Sequence, residues 1–288
     1  MKLKHRDGTD IIRKDSQETI LHILYGTVLG RLLLKPLLLP PVSRLAGLFL
    51  SSSLSKPLIP LFIRQHSIDV SHFTKTEFHS YNDFFSRKIR PELRPIDKTP
   101  AHFISPCDSK LTVLPITSSG TFTLKHTRYT VSSLLKNSKL AQDYLGGYAM
   151  IFRLTVDDYH RYCYVSDGTP SAPVKIPGIF HTVNPIANDY FPIYKENTRE
   201  YSILHTDFFG DLLLMEVGAL LVGKIVNHPV THPVKRGQEK GYFQFGGSTI
   251  VILAKKDVLQ MDSDILENSA RGIETIVRLG EKIGRKKS

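Results

Sequence analysis

The segment with the clearest chemical potential is KGYFQFGGSTIVILAKKD, which runs from Lys240 to Asp257. Two glycines precede Ser248, and a run of β-branched residues follows it. The tetrapeptide Gly-Gly-Ser-Thr is by itself typical of a hairpin turn. A Gly-Ser peptide held in a strained turn is also suited to self-cleavage, because the serine hydroxyl can attack the preceding carbonyl and glycine has no Cβ to obstruct it.

Attack of the Ser248 hydroxyl on the Gly247 carbonyl would convert the amide into an ester. Removal of the serine α-proton would then expel the glycine carboxylate by β-elimination, and the dehydroalanine left behind would lose ammonia. The product is an N-terminal pyruvoyl group, an electrophile made from the chain itself. The sequence contains no convincing spacing of metal ligands, so we expect chemistry without a metal.

Other polar residues have ordinary structural interpretations when they are taken one at a time. Asp108 follows Pro106 and is typical of a turn-capping aspartate. His228 and His232 lie in VNHPVTHPV, which indicates a proline-rich surface turn. Cys163 lies in an aromatic segment with no basic neighbour closer than Arg161, so we do not expect it to be a nucleophile.

Short apolar runs in the second part of the chain must position these residues. From about residue 99 the sequence is rich in Ile, Val, Leu and aromatic residues, punctuated by Gly and Pro, which predicts strands. The predicted strands cover residues 149–154, 161–165, 212–217, 219–226 and 250–253. No βαβ alternation or GxGxxG motif appears, which argues against a nucleotide-binding doubly wound sheet. The segment 277–284 is compatible with a final helix or a hairpin strand, and we favour the strand.

The leader, residues 16–75, has a different texture. It is rich in leucine, its charges are almost all basic (Arg31, Lys35, Arg44, Lys56 and Arg64), and Pro40-Pro41, Pro57 and Pro60 divide it into short helix-length segments. Two interpretations remain open and are compatible: a helical subdomain packed on the core, or an anchor whose apolar side chains enter lipid while its basic residues meet anionic head groups. The aromatic connector 81–97 should pack on the domain, because Phe84 and Phe85 would otherwise be exposed.

Composition limits the class of protein. The chain has 288 residues, of which 41% are hydrophobic and 23% charged, as in a folded protein. Its formal net charge of +11 favours an anionic partner: nucleic acid, an acidic lipid surface or a phosphorylated substrate. We find no sequence motif for nucleic-acid binding, and we do not expect nucleic acid to be a partner. The polar N-terminus is not typical of a signal peptide, no segment predicts a transmembrane span, and two widely separated cysteines fit a reducing compartment.

Seven blocks occur in an order that resembles the phosphatidylserine decarboxylase family from about residue 80 to 255, and the leader is similar to that of a bacterial subgroup. The blocks are YNDFFSRKIRPELRPID, ISPCDSKL, VDDYHRYCYVSDG, HTVNPIA, YKENTREYSIL, VGALLVGKI and KGYFQFGGSTIVIL. The resemblance implies a proenzyme that cleaves itself by serinolysis into a large chain, residues 1–247, and a small chain, residues 248–288. It further implies that the pyruvoyl from Ser248 forms a Schiff base with phosphatidylserine and yields phosphatidylethanolamine, without pyridoxal phosphate or metal.

The resemblance also implies roles for particular residues. Asp108 matches the aspartate that acts with a histidine and the serine in maturation, and His160 matches a histidine that we expect to protonate the α-carbon after decarboxylation. At the position of the usual maturation histidine, however, this chain has Cys163. His181, in GIFHTVNPIA, is the candidate replacement because it adjoins a block that the family places near the active site.

Together these observations predict an α+β fold. Residues 1–80 form a helical membrane-associating segment, and residues 81–288 form a mostly antiparallel β catalytic domain that keeps its small chain after cleavage. We expect a peripheral protein on the cytoplasmic face of an anionic membrane; its oligomeric state is open, with a homodimer as one alternative. Two other functions remain open: a pyruvoyl decarboxylase of another amine or aminolipid, and a non-catalytic lipid-binding homologue.

Overall fold

The computed structural model describes residues 2–12, 23–27, 29–30, 32–33, 40–124, 127–179, 193–218, 224–230, 232–244 and 248–287. In these residues the strands are, in chain order, β1 (Lys2–Lys4), β2 (Asp10–Ile12), β3 (His102–Ile104), β4 (Ser109–Pro115), β5 (Thr121–Leu124), β6 (Thr127–Thr130), β7 (Tyr148–Leu154), β8 (Arg161–Cys163), β9 (Thr169–Pro170), β10 (Val174–Ile176), β11 (Arg199–Thr206), β12 (Gly210–Val217), β13 (Ile225–Asn227), β14 (Glu239–Phe243), β15 (Ser248–Ala254), β16 (Leu259–Met261), β17 (Glu274–Val277) and β18 (Lys282–Lys286). The α-helices are α1 (Pro40–Ser51), α2 (Leu58–His66), α3 (Tyr81–Phe85), α4 (Val131–Leu135), α5 (Ser138–Gln142), α6 (Ile193–Glu196) and α7 (Ser263–Ala270).

A large sheet organises the described residues and has the order β10-β11-β12-β15-β7-β4-β17-β1-β2, with β9 paired to β11. Its pairings are antiparallel except for β1 with β17. The predicted α+β class with a mostly antiparallel sheet is therefore confirmed. The first residues of the chain are strands of this sheet, whereas the helices α1 and α2 lie in the leucine-rich leader.

Strand β15 lies at the centre of the sheet, between β12 and β7, and every residue in it is buried. Its side chains alternate between two hydrophobic cores: Val251 and Leu253 pack on one face of the sheet, and Ile250, Ile252 and Ala254 pack on the other. A strand that is covered on both faces appears in the sequence as an unbroken apolar run. The predicted core strand 250–253 is confirmed and is longer than predicted.

The small sheet β13-β14-β8 covers the second of these cores, into which Tyr162, Cys163 and Phe243 pack. A further small sheet has the order β16-β18-β3, and β5 pairs with β6. The C-terminal segment is extended, as we predicted. It does not form a hairpin, because β17 pairs with β1 and β4 while β18 pairs with β16 and β3.

The aromatic connector packs on the domain as expected. Phe84 and Phe85 of α3 are fully buried and join a third hydrophobic cluster with Leu50 and Ile59 from the leader helices. Pro60 does not interrupt α2, contrary to the sequence prediction, because it lies in the first helical turn, where no intrahelical N–H bond is lost. None of the helices in the described part of the chain has the length and apolar character needed to cross a bilayer.

Candidate active site

Several strand ends meet at one end of the large sheet. Ser248 is the first residue of β15 and pairs with Leu154, the last residue of β7. Lys110 pairs with Arg153, which brings the start of β4, and Asp108 just before it, to the same end. The register therefore gathers Ser248 and Asp108, 140 positions apart in sequence, at one edge of the core.

His160 reaches this region by a different route. The backbone N–H of Phe243 donates a hydrogen bond of 2.9 Å to the carbonyl oxygen of His160. Residues on both sides of the predicted cleavage point are thus bound to the stretch from Leu154 to His160. Phe243, before that point, is bound to His160, and Ser248, after it, is paired with Leu154. Gly247 and His181, the other predicted site residues, lie outside the described residues.

Ser248 is fully buried. Because side chains alternate along a strand, Ser248 faces the same side of the sheet as Ile250 and Ile252, toward the core beneath the sheet β13-β14-β8. Ser248 has the atoms from which a pyruvoyl group could be formed, and its buried position keeps water away from such a group. The residues present therefore fit such a group.

His160 has one committed and one open ring nitrogen. Nδ1 lies 2.9 Å from the carbonyl oxygen of Asp158, which can only accept a hydrogen bond, so Nδ1 carries the proton. Nε2 is buried and has no hydrogen-bond partner among the described residues. Burial lowers the pKa of His160 to about 4; the positive charge of Arg87 adds to the effect, while Asp158 opposes it. The imidazole is therefore neutral at physiological pH, with a bare lone pair on Nε2.

The ring of His160 also packs against Phe85, with centroids 4.1 Å apart. This contact joins the histidine to helix α3 and so to the connector between the leader and the catalytic domain. The aromatic face restricts the ring to one orientation and excludes water from it.

Asp108 is held by partners that the sequence did not suggest. Arg94 donates from Nε to Oδ1 at 2.8 Å, and the backbone N–H of Leu279 donates to the same oxygen, also at 2.8 Å. We expected Asp108 to orient a histidine, and among the described residues its partners are Arg94 and Leu279. The basic block RPELRPID could have indicated a partner for Asp108, but nothing in it distinguishes Arg94 from Arg90.

Cys163, at the usual position of the maturation histidine, is fully enclosed. Burial raises its pKa to about 12, and burial likewise raises the pKa of Cys107 well above its usual value. Both thiols are protonated and uncharged at physiological pH. A protonated thiol is a poor base and a poor nucleophile, in agreement with the expectation from sequence.

A buried polar cluster near Ser248 escaped the sequence analysis. Lys240 Nζ donates to Glu216 Oε2 at 2.8 Å and to Asn227 Oδ1 at 3.1 Å, and the Asn227 amide donates to both Glu200 and Glu216. Burial raises the pKa of Glu216, against the opposing effect of Lys240. An isolated glutamate in the apolar run LLLMEV was the available signal.

This cluster lies on the Ser248 side of the sheet. Glu216 stands opposite Ile250 in the β12–β15 register, so Ser248 is its diagonal neighbour. Diagonal neighbours in an antiparallel pair are about 7–8 Å apart, within reach of long side chains. The described residues include no group of three or more His, Cys, Asp or Glu side chains arranged to hold a metal ion.

Comparisons with known proteins agree with this arrangement. The family model described as phosphatidylserine decarboxylase matches residues 81–285. A phosphatidylserine decarboxylase proenzyme 2 of Clostridium acetobutylicum is 48% identical over 92% of this chain and 91% of the relative. Proenzymes of the same name from Clostridium perfringens and Clostridium botulinum are 43% and 38% identical, over 85% and 100% of both chains respectively. With a matching family model over most of its length and relatives aligned almost end to end, the chain belongs to the phosphatidylserine decarboxylase family, a family of decarboxylases.

Proposed function

We propose that this chain is the proenzyme of a decarboxylase that converts phosphatidylserine to phosphatidylethanolamine after cleaving itself at Gly247-Ser248. The observation that carries the proposal is the position of Ser248. It is a buried serine at the first position of the central strand, at the sheet end that also receives Asp108.

For maturation, we assign the nucleophile to the Ser248 hydroxyl, which attacks the carbonyl of Gly247 and converts the peptide bond into an ester. Loss of the Ser248 α-proton then breaks the Cβ–O bond and releases residues 1–247, with a Gly247 carboxylate, from 248–288. Asp108 and His181 are the residues that we propose for activating it. Arg94 and the Leu279 N–H fix the Asp108 carboxylate in place at the sheet end. Cys163 takes no part, because its thiol stays protonated.

A pyruvoyl group at position 248 would supply a ketone that condenses with the substrate amine as a Schiff base and accepts the electron pair released with carbon dioxide. His160 supports this chemistry by moving a proton at Nε2. Its neutral form would first accept a proton from the substrate ammonium, which must be deprotonated to condense, and the resulting imidazolium would then return that proton to the substrate α-carbon. The carbonyl of Asp158 holds Nδ1–H throughout, so exchange is confined to Nε2.

Substrate access is the second part of the proposal. Helices α1 and α2 and the turn between them expose Leu45, Leu48, Phe49, Leu54 and Leu61, each at least 48% accessible. A cluster of this kind on a basic protein is suited to docking at an anionic lipid surface, where phosphatidylserine resides. We propose that the leader, residues 16–75, holds the catalytic domain at the cytoplasmic face of the membrane.

The test is a lipid assay on purified protein. Wild type should form phosphatidylethanolamine from vesicles containing phosphatidylserine, and Ser248→Ala should form none because the precursor of the pyruvoyl is gone. Ser202→Ala is a matched control, since Ser202 is also a buried strand serine and its hydroxyl has no hydrogen-bond partner among the described residues. Activity in Ser248→Ala would contradict the proposal, and activity of wild type on free serine alone would reassign the substrate.

A further inference from the structure

A buried ion pair lies beside the histidine that we assign to proton transfer. Lys110 Nζ is 2.6 Å from Asp158 Oδ2 and 2.7 Å from Oδ1, and it donates to Thr155 Oγ1 at 2.6 Å. The lysine side chain is 4% exposed and the aspartate side chain 14%. Neither residue was a candidate on sequence grounds, because the lysine lies inside a strand and the aspartate inside a turn.

Asp158 fixes the turn that leads from the Ser248 pairing partner to His160. Its Oδ2 accepts hydrogen bonds from Thr155 N at 2.6 Å and Thr155 Oγ1 at 2.9 Å, and its own N–H donates to Thr155 O at 2.9 Å. Leu154, directly before this turn, is paired with Ser248. The turn therefore determines where His160 lies relative to the strand that starts at Ser248.

The same aspartate also sets the state of the imidazole. Its carbonyl oxygen receives Nδ1–H of His160, which leaves the lone pair on Nε2. One residue thus fixes the turn with its side chain and the histidine tautomer with its backbone. Removing its partner Lys110 would disturb both functions together.

Charged groups near His160 have opposite effects on its pKa. Asp158 and Asp157 favour the protonated imidazole, and Arg87 disfavours it. Arg87 also approaches the carbonyl oxygens of both aspartates at 3.4 Å. Lys110 pairs with Asp158 and so offsets the negative charge of this aspartate.

We propose that Lys110 and Asp158 are positioning residues for His160: they hold the turn that carries it and the tautomer with Nδ1–H, so that Nε2 can exchange protons with the substrate. The inference rests on the proposed function for its catalytic meaning. The coupling between Lys110 and His160 is nevertheless a physical property that can be measured without activity.

The direct test follows the titration of His160 by NMR in the uncut Ser248→Ala chain. Lys110→Met leaves Asp158 unbalanced, so the titration midpoint of His160 should rise, since a nearby negative charge favours the imidazolium. Asp158→Asn leaves Lys110 unbalanced and should shift the midpoint in the opposite direction. The double variant removes both charges, so its His160 midpoint should lie between those of the two single variants.

Activity provides the second readout, in an otherwise wild-type chain. Lys110→Met should still be cleaved but should lose about 100-fold in kcat, with little change in KM, because a misplaced base affects the chemical step more than binding. Lys110→Arg retains the charge and should restore most of that loss. Lys282→Met, which breaks the Lys282–Asp262 pair at 2.9 Å in the sheet β16-β18-β3, is the matched control and should leave both readouts unchanged.

The outcomes separate this inference from the proposed function. A His160 midpoint that is the same in Lys110→Met and wild-type backgrounds overturns the positioning role whatever the enzyme does. A shifted midpoint in a protein that never decarboxylates phosphatidylserine keeps the coupling and rejects the function. If Lys110→Met fails to fold, Asp158→Asn can be compared with the double variant. Loss of Lys110 should then raise the His160 midpoint, as in the single comparison.

Discussion

At the scale of single residues, the candidate site contains buried polar groups, most of which have hydrogen-bond or ion-pair partners. His160 has one nitrogen bound to a carbonyl and one without a partner in the described residues. Asp108 is bound by Arg94, and Glu216 by Lys240. Burying charge is costly unless it is paired, and breaking such a pair typically costs about 3–5 kcal/mol. Removal of one partner of either pair should therefore destabilise the fold.

The histidines should separate by function. Asp108→Ala and His181→Ala should block or greatly slow chain cleavage, because we assign both to activation of Ser248. His160→Ala should still yield two chains but lose about 10²- to 10⁴-fold in decarboxylase activity, the usual size of a general acid–base contribution. A time course of cleavage for the purified variants measures the first effect, and a lipid assay measures the second.

Cys163→His is an informative companion, because the resemblance to the family implies a maturation histidine at that position. The assignment of His181 is contradicted if His181→Ala is cleaved at the wild-type rate. It is reversed if His160→Ala is the variant that stays uncut.

At the scale of elements, the proposal that helices α1 and α2 dock at a membrane permits a direct test. Replacing Leu45, Leu48 and Leu54 together by Gln should weaken binding to phosphatidylglycerol vesicles at least about tenfold, since a fully buried leucine contributes about 1.5–3 kcal/mol. Salt should weaken it further, because exposed Lys56 and Arg64 would contribute on the order of 1 kcal/mol each near an anionic surface. Vesicle flotation measures both effects.

The control replaces Val174 and Phe208, which are exposed apolar residues outside the leader. Their replacement by Gln should leave vesicle binding unchanged. Equal binding by the leader variant and wild type would exclude an anchoring role for α1 and α2.

The sequence predicted the elements that are specified locally. Strands β7, β12 and β15 were predicted within a few residues, because sheet strands covered on both faces give continuous apolar runs. The pairing of β1 with β17 could not be predicted, since it joins residues about 270 positions apart and no local pattern encodes it. The Arg94 partner of Asp108 and the Lys110 partner of Asp158 were missed for the same reason. Motif resemblance identified Ser248 and Asp108, but only the register shows them at one end of one sheet.

At the scale of the whole molecule, cleavage should not separate the two chains. The small chain would carry β15, whose neighbours β12 and β7 belong to the large chain. It would also carry β17 and β18, which pair with β4 and β3 of the large chain. Separating the two would expose a fully buried strand and open the ladder on both sides, so the processed protein should behave as one folded unit.

The measurement that tests the account most directly is the intact mass of purified protein under denaturing conditions. Wild type and Ser202→Ala should each give two chains, residues 1–247 and 248–288, the smaller with a blocked N-terminus that reacts with carbonyl reagents. Ser248→Ala should give one uncut chain, because the attacking hydroxyl is absent. A Ser248→Ala protein cut at the same bond, or a wild type that stays a single chain with a serine at position 248, would contradict the central claim.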